Sequence, residues 1–134
     1  MALRAHLKLD DTVQFPGPAG DVLSVYRSAD LVLLTSISEA FPYSVLEAMS
    51  CEKAVVASDV GGVGEALEGC GVLVKPRDDA AFAAEVRKLL DDRPLRLRLG
   101  ARARARVLDE FTLDRAISSY LELYRSLAER HAAA

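Results

Sequence analysis

Two carboxylates eight positions apart, Glu39 and Glu47, flank a proline in the segment Thr35-Ser-Ile-Ser-Glu-Ala-Phe-Pro-Tyr-Ser-Val-Leu-Glu-Ala-Met49. An apolar run ends at Thr35, and helix-forming residues begin near Pro42. Glu39 therefore falls in a loop and Glu47 about one turn into a helix, so the pair does not stack on one helical face. The first amides of that helix, on Tyr43 and Ser44, present partial positive charge to a phosphate or a hydroxyl oxygen, whereas Pro42 has no N–H to give. Carboxylates repel phosphate but accept hydrogen bonds from paired sugar hydroxyls. Two glutamates around such a helix start suit a ligand with hydroxyls on both sides of a diphosphate, the outline of a nucleotide sugar. A plainer reading gives Glu39 to the helix N-terminus and Glu47 to a solvated face. Spacing alone leaves both open.

The elements that must hold this loop read as alternating strands and helices, the signature of a parallel sheet. Thr12–Phe15 is a short β-branched and aromatic run stopped by Pro16-Gly17-Pro18. Leu31–Thr35 and Ala54–Ser58 are continuous apolar runs, as in strands covered on both faces, and Gly71–Val74 is a fourth. Asp21–Ser28, Tyr43–Cys51 and Gly64–Leu67 are the expected crossover helices. From Asp78 onward three helices close the domain. The first has the stripe Phe82, Val86, Leu89 and Leu90; the second opens with Pro94 at its first position; the third carries Leu113, Ile117, Tyr120, Leu121, Tyr124 and Leu127 on one face. The expected class is α/β, a Rossmann-like sheet of about four parallel strands flanked by helices. Ligands of such sheets bind beyond the carboxyl ends of the strands, where the Glu39 loop lies.

The chain has 134 residues, 51% of them hydrophobic, enough for one domain with its own core. Seventeen basic residues against 20 acidic ones, a net charge of −3, provide no field for nucleic acid or anionic lipid. Arg93, Arg96, Arg98, Arg102, Arg104 and Arg106 scatter around a helix between Asp91, Asp92, Asp109 and Glu110, which predicts a solvated helix surface. Cys51 and Cys70 form no CxxC pair, and His6 and His131 stand alone near the ends, so no metal site is expected. Two reduced, buried cysteines fit a cytoplasmic protein. The start, MALRAHLKLDD, lacks the apolar core of a secretory signal, and Leu31–Leu34 is too short to span a bilayer.

Taken in order, several segments resemble one known family. Glu39 to Glu47 is similar to the E-x7-E motif of retaining glycosyltransferases of the GT-B fold, family 4. Val13-Gln-Phe-Pro-Gly17 resembles that family's V-x-F-x-G, and Tyr26 to Asp30 its Y-x-x-A-D. Glu47-Ala-Met resembles L-E-A-M, Val55 to Gly62 P-V-V-A-S-D-x-G-G, and Gly71-Val-Leu-Val G-x-L-V-x-P. Phe111-Thr112 and the Tyr120–Tyr124 helix match the closing pattern. LTSISEA-x-P before LEAM is especially similar to the subgroup that builds the Pel exopolysaccharide from a UDP-hexose. The resemblance implies that Glu39, at the catalytic centre, contacts the donor hexose, orienting it and stabilising charge without acting as a nucleophile. Glu47 would take the ribose hydroxyls. Ser36, Phe41, Pro42, Tyr43, Ser44, Gly61 and Gly62 would line the donor site, with Gly17 near the base. Gly61 and Gly62 also read as plain turn glycines. The nucleotide sugar is a substrate, and neither a metal nor another cofactor is implied.

The chain departs from the pattern in places. Glu52-Lys53-Ala54 stands where G-x-P is usual, Gly64 replaces a proline after Gly61-Gly62, and Pro42 replaces a common glycine. No G-R-x-x-x-x-K-G segment, the family's source of diphosphate-binding cations, is present. Residues 1–134 therefore read as one partial donor-binding domain whose parent also has an amino-terminal acceptor domain. The strand edges beside Val13 and Leu31 would then be open, which predicts rearranged pairing or a homodimer through those edges. A non-catalytic nucleotide-binding or self-associating module is the alternative. A flavodoxin- or receiver-type domain is disfavoured, since no strand ends in paired acids and no flavin phosphate loop is present.

Overall fold

The computed structural model describes residues 2–132. Ten elements follow one another: α1 (Ala2–His6), α2 (Val22–Ser28), β1 (Leu31–Leu34), α3 (Tyr43–Ser50), β2 (Ala54–Ser58), α4 (Val63–Leu67), β3 (Val72–Val74), α5 (Asp79–Asp91), α6 (Arg93–Glu110) and α7 (Leu113–Ala132). The strands form one parallel sheet in the order β1-β2-β3, with Leu31 opposite Ala54 and Val56 opposite Val72. Helices α3 and α4 are thus the crossovers of two consecutive βαβ units.

All five residues of β2 are buried, and their alternation divides the core in two. Val55 and Ala57 face a cluster built with Val45, Ala48 and Met49 of α3, Val63, Ala66 and Leu67 of α4, and Ala103 and Val107 of α6. Ala54 and Val56 face the other side, with Val74 and with Leu89 of α5, and Leu95 and Leu99 of α6 pack against that cluster as well. Helix α6 therefore serves both faces of the sheet.

The arginines of α6 explain how it does so. Arg96 donates to the carbonyls of Leu89 (2.7 Å) and Leu90 (3.1 Å) at the end of α5. Arg104 donates to the carbonyl of Ser50 at the end of α3, and Arg106 to those of Ala66 (3.2 Å) and Glu65 (2.9 Å) in α4. Unpaired carbonyls at a helix C-terminus carry partial negative charge, and each receives a guanidinium. Arg96 and Arg106 are half-buried, not the solvated surface expected from their spacing, whereas Arg93, Arg98, Arg102 and Arg104 are exposed, Arg104 nonetheless directing its guanidinium to the Ser50 carbonyl.

The sheet has three strands, not about four. Residues 12–15 form no strand among the described residues, because their backbone groups are engaged elsewhere: the Val13 amide donates to Leu9 (2.8 Å), and Arg4 donates to the Val13 carbonyl (3.1 Å). Phe15 is exposed beneath the Arg4 guanidinium, 5.8 Å from its ring centre. The edge of β1 is open as expected, but no rearranged pairing with residues 12–15 closes it. Helix α1 arises in a segment where no element was expected. On α5, Leu89 is buried but Leu90 is exposed, and the whole stripe on α7 from Leu113 to Leu127 is exposed. That helix forms at the expected residues but leaves its apolar face uncovered.

Candidate functional site

The chain leaves β1 at Leu34 and runs through an irregular loop to α3. Within it the Ser36 hydroxyl donates to Glu39 Oε1 at 2.6 Å, a short bond of the charge-assisted kind. The loop backbone rests on the turn at Gly61 and Gly62. The Gly62 amide donates to the Ala40 carbonyl at 2.7 Å. A Cβ on Gly62 would stand 2.6 Å from both that oxygen and Phe41 Cδ2, and one on Gly61, where φ is +51°, 2.8 Å from the Glu39 carbonyl carbon. The two glycines expected beside the ligand are thus needed for close approach to the loop that carries Glu39. Phe41 continues the contact, its ring centre 5.5 Å from that of Phe111 at the start of the α6–α7 turn.

Pro42 is buried and sits at the N-cap of α3, one position before the first helical residue where it was expected. No side chain caps this helix start. Tyr43, 79% exposed, and the exposed Ser44 follow as its first two residues, so their amides point into an open helix end. Glu39 does not fill that end; its carboxylate is held by Ser36. The plainer reading of Glu39 as a helix cap fails for that reason. At the opposite end of α3, Glu52 adopts φ +60°, a left-handed conformation that glycine takes without penalty. This accounts for the glycine usual near this position in the resembling family.

Glu47 lies on the exposed side of α3, and its Oε2 accepts a hydrogen bond from the Tyr26 hydroxyl of α2 at 3.0 Å. Burial of the phenol, reinforced by the Glu47 carboxylate, pushes its pKa up to about 12. Tyr26, Tyr43, Glu47, Cys51 and Phe111 line a groove of about 550 Å³ between α2, α3 and the start of α7. Tyr43 and Phe111 separate it from a neighbouring hollow of about 400 Å³ lined also by Phe41 and Arg115. A third depression, about 580 Å³, opens beyond the carboxyl ends of β1 and β2, lined by Thr35, Ile37, Ser58, Arg77 and Phe82.

The structure thus brings together Ser36, Glu39, Phe41, Gly61 and Gly62 as one knot, and Tyr43 and Glu47 as the wall of one groove, with Pro42 and Ser44 between them. Gly17 stands apart in an exposed segment, and among the described residues no hydrogen bond joins it to either glutamate. Tyr26 and Phe111 were missed as contributors to the site, although both fall in segments that resemble the family's motifs, Tyr26 at the head of Y-x-x-A-D and Phe111 in the closing pattern. Among the described residues no three His, Cys, Asp or Glu side chains gather as a metal site, and no helix is long and apolar enough to cross a membrane.

Residues 2–106 match the family model described as glycosyl transferases group 1. A D-inositol 3-phosphate glycosyltransferase from Salinispora arenicola is 40% identical over 126 residues, covering 91% of this chain and 28% of that protein. Among solved structures, sucrose-phosphate synthase from Thermosynechococcus elongatus superposes with a TM-score of 0.86 at 34% identity, over 99% of this chain and 34% of that one. HepE from Anabaena, solved with UDP-glucose, gives 0.83 at 26% identity, over 96% of this chain and 35% of that one. The chain therefore spans about a third of the length of the proteins it matches.

Proposed function

The chain belongs to the glycosyl transferases group 1 family, and on that footing we propose that it supplies part of the donor site of a retaining, family 4 transferase. Its domain is the Rossmann-like α/β half of a GT-B fold, the half resembled by its motifs. The parent protein moves a hexose from a nucleotide diphosphate sugar, a UDP-hexose, to a saccharide or other acceptor. The observation that carries this reading is the pair of glutamates around the uncapped start of α3, each held by one hydroxyl: Ser36 on Glu39 and Tyr26 on Glu47. An open helix N-terminus attracts the diphosphate, and carboxylates fixed in advance accept hydroxyls of the hexose and the ribose. HepE, with its UDP-glucose complex, supports the nucleotide.

In this reading Glu39 orients the hexose and stabilises the positive charge that develops on the sugar as its bond to the diphosphate breaks. The departing phosphate accepts the acceptor's proton, and no metal takes part. Phe41 and Tyr43 hold the helix start against the sugar and diphosphate. The diphosphate cations and the acceptor-binding amino-terminal domain come from other parts of the parent, in a cytoplasmic setting. The chain alone therefore transfers sugar at a negligible rate, because acceptor positioning is lost.

Calorimetry with UDP-glucose tests the reading. Glu39→Ala and Glu47→Ala should each weaken binding about tenfold or more, the scale of a lost hydrogen bond to a charged group. Binding indifferent to both glutamates would instead support a non-catalytic nucleotide-binding or self-associating module.

A further inference from the structure

Helix α2 is seven residues long, and its side chains are exposed except that of Tyr26, which packs its ring against the cluster beneath α3 and α4. The helix ends do not need the tyrosine. Asp21 accepts from the Ser24 amide at 3.1 Å at the start, and Lys53 Nζ donates to the Arg27 carbonyl at 2.8 Å near the finish. Ring packing alone would be served equally well by phenylalanine. The hydroxyl instead leaves the apolar contact and reaches Glu47 Oε2 at the edge of the groove that both residues line.

We propose that Tyr26 is a positioning residue for nucleotide recognition: its hydroxyl holds one oxygen of Glu47 and leaves the other aimed into the groove to accept a ribose hydroxyl. The inference rests on the donor-site role given to Glu47 above. An exposed glutamate samples several rotamers, and each must be abandoned when a ligand is bound. A single donor from a ring already fixed by packing removes that freedom beforehand, so the ligand meets a carboxylate in place. A carboxylate has acceptor capacity for both partners at once, so Tyr26 and a ribose hydroxyl do not compete. Because burial and the Glu47 carboxylate push the phenol's pKa up to about 12, it remains a donor throughout the physiological range.

The test uses the 134-residue chain with UDP and 2′,3′-dideoxy-UDP as calorimetric probes. The native chain should prefer UDP. Tyr26→Phe keeps the ring and should shrink that preference about three- to tenfold, the range for one hydrogen bond, while leaving dideoxy-UDP binding unchanged. It should have no further effect in a Glu47→Ala background. A structural role for Tyr26 would weaken both probes equally and would overturn the inference, as would an unchanged preference. If Glu47→Ala itself leaves the preference intact, or if the native chain takes up no UDP, the donor-site reading falls and the inference with it. The pair is also read without ligand and without altering Tyr26. In Glu47→Ala the Tyr26 ring resonances should titrate closer to the ordinary value of about 10, and unchanged titration would show that the bond is not made.

Discussion

Replacing Gly61 by alanine should disrupt the knot beneath Glu39 more than any surface change of similar size. Two costs add. Gly61 has φ +51°, and placing an L-residue there costs about 1–2 kcal/mol. The new Cβ would also lie 2.8 Å from the Glu39 carbonyl carbon, against backbone that cannot rotate aside, and overpacking of this kind costs about 1–3 kcal/mol. The sum is roughly 2–5 kcal/mol, a large share of the stability of a domain this size. Gly69 separates the two costs: it also has positive φ, +68°, but a Cβ there meets nothing within 4 Å. Gly69→Ala should therefore cost only the conformational part, about 1–2 kcal/mol. Urea unfolding followed by circular dichroism would place Gly61→Ala well below Gly69→Ala in midpoint. The relief of the clash must move the 39–41 loop, so UDP-glucose binding should also fall for Gly61→Ala and hold for Gly69→Ala. Equal stability losses in the two variants would refute the packing argument and return Gly61 to the status of a turn glycine.

Other consequences are open to direct measurement. Arg106→Ala removes donors to two carbonyls of α4, a 2.9 Å ion pair with Glu110 and a guanidinium 5.5 Å above the Phe111 ring, and should cost about 2–3 kcal/mol in urea unfolding. Arg98→Ala on the exposed side should stay within about 0.5 kcal/mol, and equal losses would show that the α6 arginines do not act as caps. The raised pKa of Tyr26 gives alkaline pH a defined sign. The folded state favours the protonated phenol, so its contribution is complete below about pH 10 and is lost as pH rises towards 12. Tyr26→Phe should flatten that part of the stability curve, and an identical slope in both proteins would contradict it. The open edge of β1 and the exposed stripe of α7 predict self-association of the isolated chain, which light scattering would disprove by finding a monomer at micromolar concentration.

Much of the scaffold was legible because its signals are local. The unbroken apolar run of β2, Pro94 near the start of α6 and the 3.6-residue stripe of α7 each specify an element without knowledge of any neighbour. Thr12–Phe15 has equally good strand composition, but a strand exists only beside another, and Arg4 and Leu9 take the hydrogen-bonding groups of Val13 instead. The stripe on α7 predicted the helix correctly but not its surroundings, for the same reason: periodicity reports a face, not what covers it, and this face is exposed. In the candidate site the loop position of Glu39 and the helical position of Glu47 could be read directly. Their hydroxyl partners differ in visibility. Ser36 is three residues from Glu39, whereas Tyr26 is 21 residues from Glu47 and meets it only through the docking of α2 on α3. The arginine stretch was hardest, since most of its hydrogen bonds go to backbone carbonyls on other helices, which leave no trace in residue types.

Those carbonyl contacts also bear on how the molecule comes apart. A surface helix would normally fray on its own, and its terminal amides would exchange with solvent independently of the rest. Here the last turns of α3, α4 and α5 are each tied to α6 by a guanidinium, so none can open at that end without releasing a bond to the same helix. Amide protons in those three helix ends should therefore exchange together with those of α6, as a single cooperative unit that spans both faces of the sheet.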